Sequence, residues 1–152
     1  MPLRIYADTS VFGGMFDVEF QRPTRVFFEQ VRDGRFHLVS STLVLDELSE
    51  APRKVQGFFN EMASVAEVTD VPPDSIVLRD AYLKAGIVGA ASLADAQHVA
   101  IATVLACVTI VSWNFRHIVH FQKVPLYNGV NRVQGYPEIG IYTPQEVIGY
   151  EE

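Results

Sequence analysis

Cysteine is nearly absent. Cys107 is the only one in 152 residues, so no internal disulfide can form and nothing calls for an oxidising compartment. Its place in an apolar run reads as a small buried core residue. Long hydrophobic runs are missing as well. The longest, Val99 to Val111, spans about 13 residues and is broken by Thr103 and Thr109, too short to cross a bilayer. The first residues lead straight to Asp8, without the apolar stretch of a signal peptide. Positive charge is in deficit: 12 Lys and Arg stand against 18 Asp and Glu, a net charge of −6. A protein that coats nucleic acid by bulk positive charge is therefore excluded. A nuclease is not, because acids gathered around divalent cations count as negative in a sequence sum. Repeats, linkers and low-complexity segments are also lacking. These absences describe a soluble, cytoplasmic protein with no membrane segment.

What is present is a 49% hydrophobic fraction and only 20% charged residues, enough for one globular domain over residues 1–152. Strand and helix signals alternate. Arg4–Ala7 reads as a strand, with Thr9 and Ser10 able to cap a following helix. Thr24–Asp33 reads as a helix stopped by Gly34, and Phe36–Ser40 as a strand. A helix capped by Ser41 or Thr42 runs to Leu48, and Gln56–Ala66 is a further helix. Glu67–Val71 is a strand ended by Pro72-Pro73. Asp74–Ala85 and Ser92–Ala106 are helices, Val108–Trp113 is a strand, and Ile139–Tyr142 is a last strand before a capped turn at Thr143-Pro144. The stretch from Tyr127 to Gly140, rich in Asn and Gly, reads as a surface loop. This alternation predicts an α/β fold, a single-domain α/β/α sandwich around a mostly parallel sheet. In such sheets the functional crevice lies at the carboxyl ends of the strands.

Three acids and one amide fall there. Asp8 closes the first strand, Glu47 lies in the helix after the second, Asp95 lies in the first turn of the long apolar helix, and Asn114 closes the fourth strand. Carboxylates that converge repel unless cations lie between them, and hard oxygen ligands suit Mg²⁺ or Mn²⁺. Such a site activates water and neutralises charge on a phosphodiester. Each residue also has a structural explanation. Asp8 can simply end a strand. Ser92-x-x-Asp95 has the form of a capping box, and Glu47, with Asp46 and Glu50, can be a solvated face. An Asn at a strand-to-turn junction is common, and His98 is more often a core histidine than a ligand. Arg22, Arg25, Arg53, Lys54 and Arg116 flank the expected crevice and form a possible phosphate path; singly, each is ordinary surface charge. His117 and His120 lie nearby. A dehalogenase-type phosphatase loop needs a second Asp two residues after the first, where this chain has Ser10.

The motifs together resemble the PIN-domain ribonucleases, including the toxins of VapBC-type toxin–antitoxin pairs. Ile5-Tyr6-Ala7-Asp8-Thr9-Ser10-Val11 is similar to the family's first motif. Ser41 to Leu48 is similar to the second, with its Glu at Glu47. Ser92-Leu93-Ala94-Asp95-Ala96-Gln97-His98-Val99-Ala100 resembles the third, and Val111-Ser112-Trp113-Asn114-Phe115 the fourth, where many members carry Asp. Ile141 to Glu146 resembles the closing strand and turn. The resemblance implies a PIN-like fold and Mg²⁺- or Mn²⁺-dependent cleavage of single-stranded RNA. It also implies a homodimer and a small antitoxin protein as partner. It carries Asp8, Glu47, Asp95 and Asn114 to the catalytic and metal-binding positions, with Ser10 and Arg116 expected at the substrate. Asn114 departs from the pattern, since an amide ligates without adding charge. That departure leaves a binding module without cleavage as the alternative.

Overall fold

A computed structural model describes residues 2–149. Five strands form one parallel sheet: β1 (Leu3–Ala7), β2 (Phe36–Ser41), β3 (Glu67–Thr69), β4 (Thr109–Val111) and β5 (Gly140–Tyr142). Their order is β3-β2-β1-β4-β5. Tyr6 lies opposite Val39 on one side and Ile110 on the other. The central strands β1 and β4 and the first part of β2 are largely apolar and buried because both faces of the sheet are covered there, whereas edge strand β3 is partly exposed. The helices are α1 (Thr9–Gly14), α2 (Gln21–Arg32), α3 (Thr42–Glu47), α4 (Arg53–Ala63), α5 (Pro73–Lys84), α6 (Leu93–Val104), α7 (Val124–Val133) and α8 (Pro144–Val147).

Two helical groups cover the sheet. In one, Phe12 of α1, Phe28 of α2 and Phe58 and Phe59 of α4 interlock, with ring centroids 4.8–6.4 Å apart. Offset and edge-on contacts of this kind stabilise beyond area burial alone. In the other, Tyr82 of α5 meets Tyr127 of α7 edge-on, and α5 packs along α6. Helix α6 is buried all round from Ala96 to Thr103, its polar Gln97, His98 and Thr103 included. Cys107 is buried as expected, and burial pushes its thiol up to about 12.

The first half of the segment read as a loop from Tyr127 to Gly140 is instead the end of helix α7. Its asparagines are not turn formers but connectors, Asn131 buried and Asn128 half-buried. Asn131 joins the Tyr82 hydroxyl to Thr103 Oγ1. The Asn128 side chain grips both the N–H and the C=O of Ile139, at 2.7 and 3.0 Å. Two boundaries also shift. Helix α2 begins at Gln21, ahead of Pro23, and α4 begins at Arg53, right after Pro52. The Ser92–Asp95 capping box does not form. Ser92 sits at the N-cap of α6 but makes no capping hydrogen bond, because its hydroxyl turns to His117. The capped turn at Thr143 is a capping box with Glu146.

Candidate active site

From the central strand β1 the chain builds outward to β2 and β3. It then crosses back to place β4 and β5 on the other side. The order of strands therefore reverses between β1 and β4, where open parallel sheets form their crevice. Asp8 follows β1 and Ser112 follows β4, so both lie at this switch point. Asp8 is 3% exposed, and both of its oxygens are claimed by hydroxyls. Ser10 Oγ donates to Oδ1 at 2.5 Å and Ser112 Oγ donates to Oδ2 at 2.6 Å. Each hydroxyl also accepts a backbone N–H, Ser10 from Trp113 and Ser112 from Asn114, both at 2.9 Å. The two serines tie the end of β1 to the turn after β4. Burial raises the Asp8 carboxyl above its ordinary value, against the opposing pull of His98, the two hydroxyls and the Val11 N–H.

A second network reaches Glu47. Tyr6 is fully buried. Its hydroxyl lies 2.8 Å from Ser41 Oγ and 2.8 Å from His98 Nδ1. The other ring nitrogen of His98 lies 2.5 Å from Glu47 Oε1, which also accepts from Thr9 Oγ1 at 2.6 Å. The Nε2–H of His98 donates to Glu47, and the Tyr6 hydroxyl joins Nδ1 of His98 to Ser41 Oγ. Burial alone would raise the Glu47 carboxyl, but the His98 and Thr9 contacts outweigh it and hold it below its ordinary value. His98 is thus a buried histidine that nonetheless touches a candidate acid. An open groove of about 610 Å³ runs from Thr9 and Glu47 past Phe16 and Lys54. Lys54 Nζ stands 5.3 Å over the Phe16 ring, and Arg25 lines the adjoining groove.

The remaining predicted residues sit differently. Asp95 is half-buried in the first turn of α6, and its charge acts on His117. The Asn114 amide oxygen accepts the N–H of His117 at 2.9 Å, which closes a local turn. Ser10, expected at the substrate, is committed to Asp8 and Trp113. Arg116 is exposed. Among the described residues, no three of His, Cys, Asp and Glu come close enough together to hold a metal ion, so the expected convergence of Asp8, Glu47 and Asp95 is not a closed cage. Sequence reasoning missed Ser112 and the Tyr6–Ser41 pair. Ser112 stands after β4 as Asp8 stands after β1, and that symmetry was the available signal.

No family model matches the chain, and no curated protein matches it by sequence. Solved structures do match. VapBC2 from Rickettsia felis, bound to a DNA fragment from its promoter, superposes with a TM-score of 0.57 at 16% identity, over 81% of this chain and 94% of that one. DNA-bound VapBC from Salmonella typhimurium gives 0.58 at 18%, over 93% and 98%. FitAcB from Neisseria gonorrhoeae gives 0.55 at 12%, over 94% and 99%. The chain has the PIN fold. At these identities the likeness is one of architecture. The PIN fold puts the ends of β1 and β4 side by side, and here Asp8 and Ser112 occupy them. No helix among the described residues is long and apolar enough to cross a membrane.

Proposed function

We propose that the protein is a divalent-metal-dependent nuclease that cleaves single-stranded RNA, acting as a cytoplasmic toxin with a small antitoxin partner and working as a homodimer. The observation that carries this reading is Asp8, a buried carboxylate at the switch point of a PIN fold, held by two neutral hydroxyls and, among the described residues, in no ion pair with Lys or Arg. The structural likeness to VapBC and FitAcB supports the toxin assignment.

The donor set fits Mg²⁺ or Mn²⁺. Each oxygen of Asp8 accepts one hydroxyl and keeps a lone pair. Glu47 has its second oxygen free of the His98 and Thr9 contacts. Mg²⁺ commonly takes one or two carboxylates and fills its shell with water and substrate phosphate, so a closed three-residue cage is not required. Asp8 would be the main ligand, and Glu47, Asp95 and Asn114 would complete the cation's shell through its waters. When bound, the cation would polarise the phosphodiester and acidify a water. His98 orients Glu47 through its Nε2–H, and Ser10 and Ser112 hold Asp8 so that its two oxygens cannot rotate. Arg25, Lys54 and Arg116 would take phosphates of the RNA strand. Asn114, neutral and already bonded to His117, favours a second reading: a module that binds RNA or a protein without cutting.

Two measurements test the proposal. Ligand binding to the folded state alone stabilises by about 2.7 kcal/mol at a hundredfold excess over Kd, so millimolar Mn²⁺ should raise the melting temperature of the parent but not of Asp8→Asn. Purified protein should cut single-stranded RNA with Mn²⁺, and Asp8→Asn should not. RNA binding without cleavage by the parent would establish the second reading instead.

A further inference from the structure

His117 has every polar atom fixed. Its N–H donates to Asn114 Oδ1 at 2.9 Å and its C=O accepts from the Tyr127 hydroxyl at 2.7 Å. Nε2 lies 3.0 Å from Ser92 Oγ, and Nδ1 lies 3.2 Å from Lys123 Nζ. The last contact decides the rest. An ammonium only donates, so Nδ1 must be unprotonated and the ring proton must sit on Nε2. That N–H then donates to Ser92 Oγ. The serine proton is displaced outward, and Ser92 finds no other acceptor among the described residues.

The three side chains present donors, the Ser92 hydroxyl and the two remaining N–H bonds of Lys123, with the guanidinium of exposed Arg116 nearby and the Asp95 carboxylate beside them, the charges of both acting on His117. Lys123 stands at the N-cap of the ten-residue helix α7, which has no acidic residue in its first turn. The positive end of that helix adds to the same field. A ligand matching the cluster is acceptor-rich and anionic. Neither capping nor core packing requires the arrangement, since Ser92 gives up its capping role on α6 to enter it.

We propose that Ser92, His117 and Lys123 form a subsite for one backbone phosphate of a single-stranded RNA, beside Asp95. The proposal rests on the nuclease reading for its ligand and deepens it. Ser92 and Lys123 bind the phosphate; His117 is a positioning residue that aims the serine proton outward.

The test uses a fluorescent 12-nucleotide oligouridine, the full chain in the non-cleaving Asp8→Asn background, and EDTA. Binding is followed by anisotropy across a salt series. Loss of one phosphate contact lowers the salt slope by about 0.7 for a single strand. Lys123→Met should show that loss, and Arg132→Met, on the exposed far part of α7, should not. Ser92→Ala should weaken binding by about five- to tenfold, the size of one hydrogen bond, with the slope unchanged. Nitrogen shifts of His117 in the metal-free protein should show a protonated Nε2 and a bare Nδ1, a signature lost in Lys123→Met. Binding by Lys123→Met and Ser92→Ala equal to the parent, no binding by the parent, or a protonated Nδ1 overturns the subsite. RNA cut by Lys123-independent binding leaves the nuclease reading standing without the subsite. A Lys123-dependent slope in a protein that never cuts RNA leaves the subsite and removes the nuclease.

Discussion

Tyr6→Phe removes one oxygen atom and leaves the ring. Tyr6 has no exposed surface, and His98 beside it is 3% exposed. The packing of the two rings, with centroids 5.8 Å apart, is untouched. What is lost is the bridge from Ser41 to His98. Without it, Nδ1 of His98 and the Ser41 hydroxyl both lose the partner they share. A buried polar group left unpaired costs about 1–3 kcal/mol. Two such groups, less the easier burial of Phe, give a loss of about 2–4 kcal/mol. For a chain of this length each kcal/mol moves the melting temperature by about 2–4 °C, so a fall of roughly 5–15 °C is expected. Total stabilities of about 5–15 kcal/mol leave the variant folded at room temperature. Urea unfolding should show a lower midpoint at constant slope. Because Tyr6 and Glu47 are joined through His98, Tyr6→Phe and Glu47→Gln should not be additive; residues in one network couple by about 0.5–3 kcal/mol. A fall below about 1 °C, or strict additivity, would refute the hydrogen-bond chain from Ser41 to Glu47.

Metal-free Asp8→Asn should be more stable than the parent at neutral pH. A carboxyl raised in the folded state lends stability below its unfolded value near 4, and that contribution is lost as pH rises through the folded value; melts from pH 4 to 8 should therefore converge at the acid end and separate at the neutral end. Gly14→Ala should destabilise by about 1–3 kcal/mol. Its Cβ would lie 2.9 Å from both Thr24 Oγ1 and Trp113 Nε1, two atoms already bonded to each other, and the fluorescence of the single tryptophan should shift as that contact breaks. Asn114→Asp keeps an acceptor for the His117 N–H, so the fold should hold while Mn²⁺ binds more tightly; an unchanged Mn²⁺ affinity would confine Asn114 to its local turn.

The sheet was legible because strands buried on both faces have apolar sequences that end abruptly in polar residues: Ala7 to Asp8, and Val111 to Ser112. Helix α7 was not. Asn128 and Asn131 carry a low helical propensity and read as loop formers, and only their tertiary partners, Ile139, Tyr82 and Thr103, explain them. The acids at strand ends could be named from position alone. Their supports could not, since Tyr6 in the middle of an apolar strand reads as core, and its hydroxyl matters only because His98 arrives from ninety-two residues away. Ser92 and Asp95 matched a local pattern that lost to a long-range one: the hydroxyl is held better by a histidine fixed at four atoms than by the start of its own helix.

Two carboxylates on the same sheet show why the carboxyl ends of the strands differ from the rest. Glu67, at the start of β3, receives two guanidinium N–H bonds from Arg4 of β1, each 2.9 Å. Its carboxyl is held down to about 2, chiefly by that pairing. The fold has supplied its countercharge. Asp8 has two hydrogen bonds from side chains, both shorter than those from Arg4, yet its carboxyl moves the other way. Hydroxyls orient a carboxylate without cancelling its charge, and full burial then dominates. Ser10 and Ser112 therefore hold Asp8 in one geometry while leaving its charge uncompensated by Lys or Arg. The tie between β1 and the turn after β4 is thus made around a buried charge that the fold does not neutralise. A divalent cation would offset that charge and lower the carboxyl's proton affinity, and the two hydroxyls have already fixed its direction.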